Sequence, residues 1–166
     1  MSDTTHKGRI LLIAMGNPNR GDDALGPYLG MKLRKTLPEL VVFCNYDGDG
    51  AGLMAQWHLK DWVYVIDAVA SGQEHGTQYI LDAHEKPLQS QFFHYSSHAF
   101  GLSEGVEMAR VLDRLPERLV IFGIEGKDYT HGHEMTEVVR LASEQLEVEI
   151  QKTLQQAVEE HEQLYA

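Results

Sequence analysis

The sequence contains one cysteine, Cys44, among 166 residues. A lone thiol excludes an intramolecular disulfide and any four-thiolate metal site. Cys44 lies within an apolar run and reads as a packed residue rather than a nucleophile. Basic residues are scarce as well: 14 Lys and Arg stand against 25 Asp and Glu, a formal net charge of -11. Nucleic-acid binding depends on cationic side chains neutralising phosphates, so we expect neither nucleic acid nor an anionic membrane surface as a partner. No apolar run approaches the ~20 residues that a membrane-spanning helix needs. Residues 1–8 are polar, without the apolar centre of a secretory signal. They read as a flexible tail on a cytoplasmic chain, and the whole length, 1–166, suits a single domain with one buried core.

Several catalytic signatures are missing too. There is no G-x-G-x-x-G for a dinucleotide, no G-x-x-x-x-G-K-[ST] for a phosphate cradle and no G-x-S-x-G nucleophile elbow. His133-Glu134-Met135-Thr136-Glu137 begins like a zinc-protease helix, but Glu137 stands where the second histidine is required. Asp47-Gly48-Asp49-Gly50 lacks the closing glutamate of a calcium loop.

What is present is alternation. Apolar runs at Arg9–Met15, Leu40–Cys44, Val63–Ile66, Thr77–Leu81 and Leu119–Ile124 read as strands. Helical spacing separates most of them: Leu25, Leu29 and Leu33 near Pro27, a short helix around Leu53–His58, then Leu102, Val106 and Ala109. Gly101 and Gly105 should weaken that third helix by about 1 kcal/mol each. A long C-terminal helix carries Val138, Ala142, Leu146, Ile150, Leu154 and Val158 at steps of four. Between Glu134 and Glu162 eight glutamates face only Arg140 and Lys152. This reads as a solvated helix face, with a basic patch on a partner as the sharper alternative. The order β-α-β-α-β-β-α-β-α predicts an α/β fold: a mostly parallel five-stranded sheet between helical layers, the strand at Thr77 antiparallel.

In open α/β sheets ligands bind beyond the carboxyl ends of the strands. Asp22 and Asp23 leave the first strand there, Asp67 ends the third, and His98 precedes the helix at Leu102. Two carboxylates and an imidazole would form an oxygen/nitrogen set suited to zinc, nickel or manganese, with open coordination positions. Taken singly, Asp23 also reads as a helix cap and His98 as an ordinary loop histidine. Asp67 is harder to dismiss, because a carboxylate at the end of a buried strand needs partners to offset desolvation. Glu125 sits just past the fifth strand as a lesser candidate, and His131 and His133 form a pair without an assigned role.

Five segments in order resemble the nickel–iron hydrogenase maturation endopeptidases: Met15-Gly16-Asn17 with Gly21-Asp22-Asp23-Ala24-Leu25-Gly26-Pro27, Asp47-Gly48-Asp49-Gly50-Ala51-Gly52-Leu53, Val65-Ile66-Asp67-Ala68, Ser97-His98-Ala99-Phe100-Gly101-Leu102 and Ile121-Phe122-Gly123-Ile124-Glu125. The resemblance covers roughly residues 9–140. It implies a three-layer α/β/α sandwich and an aspartic-type endopeptidase that removes the C-terminal extension of a hydrogenase large-subunit precursor after nickel insertion. It further implies metal engagement by Asp23, Asp67 and His98. By position Asp23 and Asp67 are also the candidates for catalysis, and Asp47, Asp49 and Glu125 those for substrate contact. The nickel would arrive with the substrate, and no organic cofactor is implied. Two other readings stay open: a nickel-sensing chaperone that does not cut, and a self-contained metal-dependent hydrolase. This chain departs from the family at Gly48-Asp49-Gly50, where a Gly-Gly-Thr-like sequence is usual. The stretch Lys127–Glu134 matches no family motif.

Overall fold

All eight residues of the central strand, Trp62–Val69, are buried, as a strand covered on both faces must be. The protein is represented by a computed structural model that describes residues 7–89 and 101–166. Five strands, β1 (Ile10–Met15), β2 (Val41–Tyr46), β3 (Trp62–Val69), β4 (Gln78–Asp82) and β5 (Arg118–Glu125), form one sheet in the order β2-β1-β3-β5-β4. Only β4 runs antiparallel. Four helices complete the described fold: α1 (Leu25–Arg34), α2 (Gly50–Leu53), α3 (Leu102–Val111) and α4 (Glu137–Tyr165). The expected fold class and element order are those observed.

Strand alternation sorts the core into two layers. Ile10 and Leu12 of β1 pack with Leu25, Leu29 and Leu33 of α1 and with Leu146, Ile150 and Leu154 of α4. Leu11 and Ile13 point the other way, to Leu53 of α2 and to Leu102, Val106 and Ala109 of α3. Each fully buried Leu or Ile contributes about 1.5–3 kcal/mol relative to exposure. On β3 the parity continues, with Tyr64 and Ile66 toward α1 and α4 and Val63 and Val65 toward α2 and α3. Asp67 shares the parity of Val63 and Val65.

Three expectations are corrected. The helix placed around Leu53–His58 starts earlier, because Asp49 caps it: Oδ1 accepts from the Gly52 N–H at 3.0 Å. A 3-10 turn over Met54–Gln56 then ends it. The stripe on α4 begins at Val139, which is buried, and not at Val138, which is 37 % exposed. Steps of four advance 400° against a 360° turn, so Val138 and Val158 lie about 160° apart around the helix. The buried face mixes steps of three and four through Ser143, Leu146, Ile150, Leu154, Ala157 and His161, and Val158 is buried beside them as expected. Gly105, read as a weak point, is a contact: a β-carbon there would stand 2.5 Å from the Gly50 carbonyl oxygen. Its absence lets α3 pack against the start of α2.

Several glutamates of α4 meet bases of this chain. Glu147 pairs with Lys32 at 3.1 Å and Glu160 with Arg118 at 2.7 Å. At the other end of the chain, Lys7 and Gly8, assigned to the tail, are held: Gly8 is buried, its carbonyl accepts from His161 Nε2, and Lys7 Nζ donates to the Tyr165 carbonyl. Among the described residues no helix is long and apolar enough to cross a membrane.

Candidate active site

The sheet order places β1 and β3 side by side with connections that leave in opposite directions, so a crevice opens at their carboxyl ends. Pairing between them stops at Ala14 and Ile66, while β3 continues beside β5 as far as Val69 and Glu125. Asp67 is therefore the first β3 residue beyond its β1 neighbour. It lies within the strand, two residues before its end, rather than at its tip as the apolar run suggested.

Asp23 reaches the same crevice from the β1 side. After Met15 the chain turns through Gly16 at φ 131°, where a β-carbon would fall 2.0 Å from the Asp23 carbonyl oxygen. Only glycine suits both the angle and that approach. A 3-10 turn over Gly21–Ala24 then carries Asp23 back over the strand end, and its Oδ2 accepts from the Asn17 N–H at 2.9 Å. Ala24, not Asp23, occupies the N-cap position of α1.

Both carboxylates line one cavity of about 460 Å3, with Asn17, Tyr46, Asp47 and Gly48. Asp23 is 5 % and Asp67 8 % exposed. Burial, and next the Asp23 charge, push the Asp67 carboxyl well above the usual carboxylate range; its own bond from the Ala68 N–H at 2.9 Å opposes this only in part. Among the described residues its lining carries these carboxylates and no Lys, Arg or His.

The remaining candidates separate. Asp47 stands on the rim of the same cavity, whereas Asp49 is the α2 cap and does not line it. Glu125 is buried along the same edge, with its oxygens accepting from the N–H groups of Ser71 and Gly72 and the hydroxyls of Ser71 and Tyr79. That makes it an anchor for the loop after β3. His98 lies outside the described residues, and among these no three His, Cys, Asp or Glu side chains gather closely enough to hold a metal ion. His131 forms a backbone bridge with Arg20, and His133 Nδ1 meets Asp128 Oδ2 at 2.6 Å on the surface.

Asp22 is what the sequence reading missed. It is fully buried, and it accepts from the Lys127, Asp128 and Thr136 N–H groups at 2.7, 3.0 and 2.7 Å and from the Thr136 hydroxyl. The loop between β5 and α4 is thereby fastened to the turn that carries Asp23. Further ties run from Gly21 N–H to the His133 carbonyl and from Gly132 N–H to that of Asn19. The Tyr129 hydroxyl donates to the Val69 carbonyl at 2.6 Å, binding the same loop to the end of β3. Burial, then the Asp67, Glu125 and Asp22 charges, raise the Tyr129 phenol far above its usual range, so it remains a donor. Nothing in the local sequence distinguishes Asp22 from Asp23, because all its donors come from more than a hundred residues downstream.

The family model described as HycI, hydrogenase maturation protease, matches residues 31–161. Asp67 and His98 fall inside that span and Asp23 outside it. Hydrogenase expression/formation protein HupD of Bradyrhizobium diazoefficiens is 27% identical over 130 residues, 77% of this chain and 68% of that protein. The hydrogenase maturating endopeptidase HybD from E. coli superposes with a TM-score of 0.72 at 25% identity, covering 90% of this chain and 93% of that one. A HycI maturation protease from Thermococcus kodakarensis, at 23% identity, shares the fold with a TM-score of 0.64 over 91% and 95% of the two chains.

Proposed function

We propose, from the premise that this chain belongs to the hydrogenase maturation protease family, that it is an endopeptidase that removes the C-terminal extension of a nickel–iron hydrogenase large-subunit precursor once nickel is in place. The observation that carries this reading is the anionic cavity. Two nearly buried carboxylates, Asp23 and Asp67, share it with Asp47 on the rim, and no basic residue among those described lines it. Such a pair is held at a cost that a divalent cation entering with the substrate relieves. Carboxylate oxygens suit nickel(II), and a client-held ion would keep its remaining ligands from the precursor. His98 is the third group assigned to this contact, on the family resemblance alone.

Among the described residues no side chain is an activated nucleophile. Cys44 sits on β2 with its thiol raised above its usual range by burial, against a smaller opposing effect of Arg9, so it stays protonated and unreactive. Attack therefore falls to water. Of the two carboxylates Asp67 is the better general base, because its raised pKa brings its basicity nearer neutrality. Asp23, fixed by the Asn17 amide, orients the bound client. Nickel held by the client supplies the positive charge that docks the scissile region against these groups.

The test is incubation of purified precursor, with and without nickel, followed by mass measurement of its C-terminus. Cleavage only of the loaded precursor, abolished in Asp23→Asn and Asp67→Asn, is the expected result. Equal cleavage of the metal-free form would refute nickel recognition. Stable binding without any mass change would replace the protease by a chaperone.

A further inference from the structure

Asp23 and Asp67 stand on differently built parts of the protein. Asp67 belongs to β3, whose eight buried residues are paired into the sheet between β1 and β5. Asp23 belongs to a turn outside the sheet. That turn and the loop between β5 and α4 form one unit. Asp22 accepts from the Lys127, Asp128 and Thr136 N–H groups, and its own N–H donates to the Asp128 carbonyl at 2.7 Å. Arg20 Nε adds a bond to the Tyr129 carbonyl at 3.0 Å. The spacing of the two carboxylates therefore depends on how this unit is fixed to the end of β3.

Tyr129 supplies a bond at that junction. Its hydroxyl donates at 2.6 Å to the carbonyl of Val69, two residues past Asp67. The same carbonyl accepts from the Gly126 N–H at 2.9 Å, which prolongs the pairing of β3 with β5 by one residue. The hydroxyl reaches back from three residues further along, inside the unit that carries Asp23. Local geometry clears the space for it. A β-carbon on Gly126 would collide with the Tyr129 hydroxyl and would stand 3.0 Å from the Asp22 β-carbon. The ring packs against the core layer shared by α1 and α4, so the hydroxyl is aimed by its own side chain.

We propose that Tyr129 is a positioning residue for peptide cleavage: its hydroxyl, on the Val69 carbonyl, fixes the turn that carries Asp23 against the strand that carries Asp67. The assignment rests on the endopeptidase reading above. Client docking draws on the charge of the two carboxylates, whereas attack on the peptide depends on their mutual placement, and a misplacement of ~1 Å can cost on the order of a hundredfold in rate.

Precursor processing is followed with wild type, Tyr129→Phe and Thr130→Ala. The phenylalanine keeps the ring packing and removes the bond to Val69. Thr130→Ala removes a neighbouring hydroxyl whose tie, to Asp128, stays within the loop. Tyr129→Phe should lower kcat about tenfold and leave KM within about twofold, a split that a general loss of folded protein does not explain. Thr130→Ala should change neither. In parallel, amide hydrogen exchange is measured by NMR without any client. In Tyr129→Phe the Gly126 amide, which shares the Val69 carbonyl, should exchange at least about fivefold faster, while the Lys127 and Asp128 amides held by Asp22 keep their protection. A kcat within about twofold of wild type, or a loss confined to KM, overturns the proposal, as does an unchanged Gly126 exchange rate. A wild type that never cleaves the precursor overturns the endopeptidase reading instead, and the exchange rates still decide whether Tyr129 fastens the two parts.

Discussion

Asp22 and Asp23 are adjacent, both nearly or fully buried, and should respond to mutation in opposite ways. Asp22→Ala removes the acceptor of three backbone N–H groups and one hydroxyl. Each buried donor left unsatisfied costs ~1–3 kcal/mol, and some will find water as the loop relaxes, so the net loss is about 3–5 kcal/mol. For a chain of this size one kcal/mol moves Tm by ~2–4 °C, which makes the expected fall about 10–15 °C. Asp23→Asn should lose less, since the bond from the Asn17 N–H is one that an amide oxygen also accepts. It also removes the charge that faces Asp67. Its Tm should match or exceed that of the wild type while precursor processing disappears, as expected where a site is held at the expense of stability. Calorimetry at neutral pH decides the matter, with Asp22→Asn as an intermediate control. An Asp22→Ala protein that melts within about 2 °C of wild type refutes the claim that this carboxylate fastens the β5–α4 loop.

Two further outcomes follow from the same geometry. Asp67 has a folded pKa raised above its unfolded value of 3.8, so it contributes stability below that value and loses it as pH rises through the folded pKa. Asp67→Asn should therefore melt higher than wild type at neutral pH, and the gap should close as the pH approaches 4; a constant gap in a pH series of melting curves contradicts this. Gly105→Ala places a methyl 2.5 Å from the Gly50 carbonyl oxygen, and the strain should exceed the ~1 kcal/mol gained in helix propensity. A net loss of about 1–2 kcal/mol in denaturant titration is expected, and a stabilised variant would show that α2 yields freely.

Most of the architecture is legible in the sequence because hydrophobic burial is periodic and strands buried on both faces are continuously apolar. The run Leu119–Ile124 and the triplet Leu25, Leu29 and Leu33 announce β5 and α1 without outside help. Errors arise where a tertiary contact overrides the local pattern. β3 extends through Asp67 because β5 continues alongside it, a fact recorded in another part of the chain. Gly105 looks like a weak helix position until α2 is seen against it.

The site divides along the same line. Asp23 and Asp67 can be picked out because they follow apolar runs at the carboxyl edge of the sheet, where the fold puts its ligands, and Asp47 joins them through the loop that carries the family resemblance. The machinery that holds them is invisible in the sequence, because a hydrogen-bond acceptor carries no mark of its donors. Asp22 and the segment Lys127–Glu134 each looked unremarkable alone, one a neighbour of the interesting residue and the other a stretch without a motif. Together they make the brace: Asp22 grips the Lys127 and Asp128 amides, and Tyr129 grips Val69. A loop fastened through backbone amides places few demands on its own side chains, since any residue but proline supplies the donor. Its side chains therefore need carry no motif while the brace persists, which is why it escapes motif reading.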